Sequence, residues 1–196
     1  MLRAFLHRAS CSGAAPWPAP PRLVRADGRY LPFADTTFDA VLMIQIFGGM
    51  SGFRLLVSEA RRVLRLPGAV ILGRTLAPEH GVDARLKQRL ASILSEIGIE
   101  PGRNFHDGVE LALNSAASSA ETVLAASWRA DRTAREFLER HRIGAHFSAL
   151  PETVKEEALR QLAVWAAATF GSLDAVFSEQ YAFALRVFKF GPAAPQ

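Results

Sequence analysis

The chain has 196 residues, 49% of them hydrophobic, which is enough to bury one sizeable core and makes a single domain the default expectation. Its formal net charge is +4, yet Arg3, Arg8, Arg22 and Arg25 all precede the first acid, Asp27, and the remaining 19 basic residues balance the 19 acidic ones. A neutral body lacks the basic face that a phosphate backbone needs, so nucleic acid is not an expected partner.

Cys11 is the one cysteine, which excludes an internal disulfide and a cysteine-based zinc site and suits a reducing, cytoplasmic setting. No uninterrupted apolar stretch reaches the roughly 18 to 20 residues needed to cross a bilayer. Even the run from Phe38 to Phe53 contains Gln45 and three glycines, so no membrane partner is expected.

Residues 1–22, "MLRAFLHRASCSGAAPWPAPPR", hold arginine but no acid, and are rich in Ala and Pro, as a mitochondrial transit peptide is. Pro16, Pro18, Pro20 and Pro21 would break an amphipathic helix there. The stretch therefore reads as a disordered extension or a misplaced start, with the domain proper over residues 23–196.

In chain order, Leu23-Val24-Arg25-Ala26 is a short strand candidate running into a turn at Asp27-Gly28. Pro32 and Asp35-Thr36-Thr37 bracket a loop. The continuously apolar stretch from Phe38 to Ile46 predicts a strand covered on both faces, as in a parallel sheet. Leu56, Ala60, Val63 and Leu64 share a helical face, with Arg61, Arg62 and Arg65 near the C-terminal end, where cations suit the helix dipole. Pro67-Gly68 is expected to stop that helix and Ala69 to Leu72 to form the next strand, completing a crossover unit.

Residues 77–170 contain little strand signal and predict a helical cap insert. Leu86, Leu90, Ile93, Leu94 and Ile97 sit at helical spacing, and Asp107 with Glu110 fits a capping box. Two further helices are expected, from Thr133 to His141 and from Pro151 to Thr169. Tyr181 to Phe190, "YAFALRVFKF", is a strong strand, with Leu173 to Phe177 as a possible antiparallel neighbour.

The stretch "RADGRYLPFADTTFDAVLMIQIF", followed by "SEARRVLRLPGAVIL", resembles the second half of a class I S-adenosylmethionine-dependent methyltransferase of the small-molecule, type 11 kind. The shared pattern is an acid, a Leu-Pro-Phe, a second acid, Phe-Asp before an apolar strand, and a helix ending in Arg-Val-Leu-Arg ahead of Pro-Gly. The resemblance implies an α/β fold, here a partial Rossmann-like methyltransferase sheet that lacks its first two strands and carries an antiparallel last strand. It also implies S-adenosylmethionine as cofactor. Asp27 matches the acid that accepts a hydrogen bond from the adenine amino group, and Gly28 the residue whose N–H faces the ring. Ile44 and Gln45 match positions lining the methionine end, although many relatives carry histidine where Gln45 stands and His-His where Gly48 and Gly49 stand. A turn-capping role for Asp27 stays open beside the adenine role.

The first strand of such a fold should end in a Gly-rich loop that holds the cofactor carboxylate. No two glycines in this chain are separated by a single residue. Two strand-helix units would need on the order of 60 residues, and only 22 precede Leu23. Losing three or four hydrogen bonds removes roughly 4 to 6 kcal/mol, which weakens binding about a thousandfold to ten-thousandfold.

Two functions follow as expectations. One is methyl transfer to a small-molecule acceptor, impaired in this chain. The other is a non-catalytic, methyltransferase-like interaction protein that dimerises or pairs with a partner chain through an exposed sheet edge. His80, His106 and His146 are general-base candidates, and Phe105, Trp128, Phe147, Trp165 and Phe170 could shelter an apolar acceptor beneath the helical lid as readily as they could pack a core.

Overall fold

A computed structural model describes residues 22–46, 52–99, 106–142 and 150–191. They form an α/β fold in which a four-stranded mixed sheet carries helices. The elements are β1 (Phe38–Ile44), α1 (Phe53–Val63), β2 (Leu64–Leu76), α2 (Val82–Glu96), α3 (His106–Asn114), β3 (Ser119–Arg132), α4 (Ala134–Arg142), α5 (Glu152–Phe170) and β4 (Phe177–Phe190).

The strand order is β1-β2-β4-β3. β1 and β2 run parallel, from Ala40 opposite Ala69 to Ile44 opposite Gly73, with α1 as the crossover between them. β4 is antiparallel to β2 and to β3. α1 ends at Val63, four residues before Pro67, and β2 begins at once, so the break expected at Pro67-Gly68 becomes an irregularity inside the strand. Gly68 is required there, because a Cβ would meet the carbonyl oxygens of Arg65 and, at 2.8 Å, of Asp39.

One apolar cluster lies on one face of the sheet. Met43, Val70, Leu72, Phe188 and Phe190 project from alternate positions of three strands and meet Leu56, Val57 and Ala60 of α1 and Val109 and Leu113 of α3. Full burial of a side chain such as Phe188 contributes about 1.5 to 3 kcal/mol. A second cluster joins α2, α4 and α5 through Leu86, Leu90, Ile93, Phe137, Ala158 and Leu162.

Several expectations need correction. The segment 77–170 is not four helices in succession. β3 interrupts it, and α3 packs on α1, so the helical layer consists of α2, α4 and α5. β3 escaped notice because "SAETVLAASWRADR" is rich in Ala and Ser and exposed almost throughout; its ladder with β4 supplies the stability that its side chains do not. Residues 23–26 form no strand. Leu173 to Asp174 is a turn after Gly171, whose φ of 81° ends α5, and Phe177 is the first residue of β4 rather than part of a separate strand. β1 is not covered on both faces, since Leu42 is 62% exposed and Ile44 40%.

Candidate functional site

The segment before β1 is held against α1 by side chains spaced along that helix. Gly28 lies so close to Leu56 that a Cβ would stand 2.9 Å from Cδ1, and Gly52, just ahead of α1, sits by the Arg29 side chain. Farther on, the Leu31 N–H donates to Glu59 Oε2 at 2.8 Å. Arg62 then donates to the carbonyls of Leu31 (3.0 Å) and Phe33 (2.8 Å) and to the Asp35 carboxylate (2.7 Å). The N–H groups of Thr36 and Thr37 reach the carbonyls of Arg62 and Val63. The chain thus descends α1 from its N-terminal to its C-terminal end and enters β1. Arg62, read from sequence as a dipole partner, is the hub that fixes the Leu-Pro-Phe segment, and Glu59 is its bidentate counter-ion at 2.8 Å. The Arg62 guanidinium, followed by the Leu31 N–H, holds the Glu59 carboxyl down at about 2.

This path places the Asp27-Gly28 turn at the N-terminal end of α1, beside the carboxyl edge of β1 and β2. In an open α/β sheet that edge is where ligands bind. The turn is closed by the Tyr30 N–H donating to the Asp27 carbonyl at 2.9 Å. The Asp27 carboxylate is engaged by Arg29, whose N–H and Nε reach Oδ1 at 2.9 and 3.0 Å and whose Nη2 reaches Oδ2 at 2.7 Å. That guanidinium, with the Arg29 N–H, holds the Asp27 carboxyl at about 2. A carboxylate has about four lone-pair sites, and the three Arg29 donors leave about one of them open on this exposed side chain.

Ile44 and Gln45 do come together at that edge. Ile44 Cδ1 lies against Gly73, where a Cβ would collide with it. Gln45 has a φ of 52°, donates its N–H to the Gly73 carbonyl at 2.9 Å, and donates from Nε2 to Thr75 Oγ1 at 2.7 Å. A left-handed backbone at a non-glycine residue stores about 1 to 3 kcal/mol of strain, held here by those two bonds. The edge therefore presents a half-exposed apolar side chain beside a fixed amide. Asp27 and Gly28 share this end of the fold but make no bond with Ile44 or Gln45 among the described residues.

Of the histidine candidates, His80 is exposed in the turn after β2 and the His106 backbone opens α3; His146 lies outside the described residues, as do Phe105, Phe147, Gly48 and Gly49. His141, not singled out from sequence, stacks on Phe137 at 3.8 Å with Nδ1 2.9 Å from that residue's carbonyl; burial pushes its pKa down. The aromatic side chains form no common shelter. Trp165 and Phe170 pack edge to face within the helical cluster, whereas Trp128 stacks over Tyr181 on the sheet.

The helical layer is tied to the sheet by residues that no sequence motif announced. Glu179 of β4 accepts from the Val82 N–H at 2.6 Å and from the Tyr181 hydroxyl at 2.9 Å, and burial followed by that carboxylate pushes the tyrosine pKa up. Asp83, 8% exposed, is gripped by Arg140 of α4 at 2.8 and 3.0 Å. Among the described residues no cluster of His, Cys, Asp and Glu could hold a metal ion, and no helix is long and apolar enough to cross a membrane.

Residues 2–72 match a family described as "Methyltransferase domain". That match takes in most of the stretch that composition set apart as an extension. No curated protein matches the chain. Among solved structures, the YcgJ protein of Bacillus subtilis is similar with a TM-score of 0.52 at 16% identity, covering 96% of this chain and 77% of that one. A candidate methyltransferase of Bacillus halodurans aligns with a TM-score of 0.49 at 17% identity over 87% of this chain and 78% of its own. The family match thus covers residues 2–72 of the 196, and the fold of the whole chain is similar to that of the YcgJ protein.

Proposed function

We propose that the chain descends from an enzyme of S-adenosylmethionine-dependent methyl transfer to a small-molecule acceptor in the cytoplasm, with Asp27 and Gly28 toward the adenine and Ile44 and Gln45 toward the methionine end. The observation that supports this reading is the parallel β1-α1-β2 unit, inside the family match up to residue 72, with the Asp27-Gly28 turn and the Ile44-Gln45 step at one end of it. The residues present fit the cofactor in part. Ile44 offers apolar surface, and Gln45 is held at a fixed angle by Thr75 and Gly73. Asp27 keeps about one acceptor site beside the Arg29 donors, and no G-x-G for the amino-acid end stands in this sequence. When bound, S-adenosylmethionine supplies the methyl group. What this chain contributes is orientation of the acceptor at the carboxyl edge, the part of such catalysis that proximity can supply.

Calorimetric titration of the chain with S-adenosylmethionine tests the reading. Binding in the millimolar range is expected from the loss of about three or four hydrogen bonds, weakened further in Asp27→Ala. Equal binding by wild type and Asp27→Ala would remove the assigned adenine contact.

A second reading, a non-catalytic protein that dimerises or pairs through a sheet edge, is favoured by β1 itself. Among the described residues β1 pairs only with β2, and Leu42 and Ile44 stay open to solvent on the sheet face away from α1.

A further inference from the structure

Alternate residues of a strand face opposite sides of its sheet. Here both sides are apolar, but they are unequally covered. On the side of α1 and α3, Val70, Leu72 and Phe188 are at most 1% exposed. On the other side, Leu42, Ile71, Val187 and Glu121 form one row across β1, β2, β4 and β3, and Ile44, Gly73, Leu185 and Val123 form the next. A third row, nearer the carboxyl end of β2, holds Thr75, Phe183 and Ala126. Gly73 lets the rows close up, because a Cβ there would stand 2.9 Å from Phe183 Cζ and 3.3 Å from Leu185 Cδ2 and would collide with Ile44.

Among the described residues no helix seals this surface. Leu42, Ile44 and Val123 are exposed, and Ile71, Phe183, Leu185 and Val187 stay partly open although they lie on the two central strands. None of the seven belongs to either apolar cluster. A near-continuous apolar run is the pattern of a strand covered on both faces, and "AVIL" of β2 and "YAFALRVF" of β4 carry that pattern while one face stays open.

We propose that this face binds a second copy of the chain, the two sheets stacking face to face about a two-fold axis at the spacing of about 10 Å usual for packed sheets. The surface is self-complementary. Glu121, the one charged side chain in the three rows, is paired on the same face with Lys189 at 2.8 Å, so a symmetric copy sets apolar rows against apolar rows with no unpaired charge between them. Strands about 4.8 Å apart and rows about 6.7 Å apart give the three rows a footprint of about 400 Å². Against the roughly 800 Å² per partner of a standard interface that is small, and the dimer is therefore a reversible one. It uses a face of the sheet, whereas the second reading above uses the free edge of β1, and it is independent of methyl transfer.

Sedimentation equilibrium of the full chain without cofactor, from about 1 to 500 µM, tests the dimer, with methyl NMR on the same samples. A monomer–dimer equilibrium is expected with a dissociation constant on the order of 10–100 µM. Leu185→Lys puts a charge at the centre of the stack and should weaken the dimer at least about tenfold. Leu124→Lys, at an exposed position opposite Ala184 on the other side of the sheet, should leave it unchanged. In the wild type, which needs no variant to fold, concentration-dependent shifts should cluster at the Ile71, Leu185 and Val187 methyls. A chain that stays monomeric, a dimer indifferent to Leu185→Lys, or equal weakening by Leu124→Lys overturns the proposal. Slowed amide exchange along β1 with the Leu185 and Val187 methyls unmoved upholds pairing through the strand edge and overturns stacking through the face.

Discussion

Arg29 holds both carboxylate oxygens of Asp27, Nε on Oδ1 at 3.0 Å and Nη2 on Oδ2 at 2.7 Å. The acid proposed for the adenine amino group thus shares its acceptor sites with its neighbour but one, and a ligand there would compete with that neighbour. Arg29→Ala should raise the Asp27 pKa from about 2 toward its ordinary value near 3.8, readable by carboxyl carbon NMR. It should also tighten S-adenosylmethionine binding by up to about fivefold, the equivalent of a solvent-exposed ion pair. Weaker binding in Arg29→Ala would show instead that the arginine itself touches the ligand.

The Glu59–Arg62 pair makes stability depend on acid. The Glu59 carboxyl is held at about 2 against an ordinary value of 4.5. A folded-state pKa below the unfolded one means that the stabilisation is complete above about pH 4.5 and is lost as pH falls through about 2. Thermal melts of wild type and Glu59→Gln should therefore differ most above pH 5 and converge near pH 2. Parallel curves across that range would remove Glu59 from the list of acid-sensitive contacts.

Asp83 and Arg140 join α2 to α4 through a carboxylate that is almost out of contact with water. Arg140→Met leaves that carboxylate short of a partner and should cost about 1 to 3 kcal/mol in urea denaturation. Because α2 also bonds β4 through Glu179, the loss should weaken protection of α2 and α4 amides from exchange before those of β2. A loss spread evenly over the sheet would contradict the division into two apolar clusters.

Among the described strands β1 is an edge of the sheet, and Leu42 stands exposed on it. Leu42→Lys should change folding stability within about 0.5 kcal/mol, because the position is already in water. Sedimentation should show that it lowers self-association, since a charge at a sheet edge opposes strand pairing. A wild-type chain that stays monomeric at high concentration would remove the second function reading.

The elements that sequence disclosed are those whose side chains pack. α1, α2 and α5 place apolar residues such as Leu56, Leu86 and Leu162 at a helical period, β1, β2 and β4 are apolar runs, and α3 and α4 were expected where they stand, from a capping box and from Phe137-Leu138. β3 was silent because its residues pack against little; its pairing partner, β4, is set by topology, which one strand's own residues do not encode. Leu23 to Ala26 read as a strand on residue type alone, yet a strand also needs a neighbour, and none pairs with it among the described residues. At the site, Asp27, Gly28, Ile44 and Gln45 were singled out through family resemblance, and Ile44 and Gln45, neighbours in sequence, stand at the carboxyl end of β1. The engagement of Asp27 by Arg29 was written in the sequence two residues away, but an exposed Asp-x-Arg spacing has many outcomes and only the turn's backbone decides among them.

The central claim is that the cofactor contacts the carboxyl edge of β1 and the turn at the head of α1. Titrating the isotopically labelled chain with S-adenosylmethionine into the millimolar range tests it most directly. The account predicts concentration-dependent shifts that cluster at the Gly28 and Gln45 amides and the Ile44 methyls. Shifts confined to the groove between α4 and α5 around Arg135 and Lys155, or none at all, would contradict it.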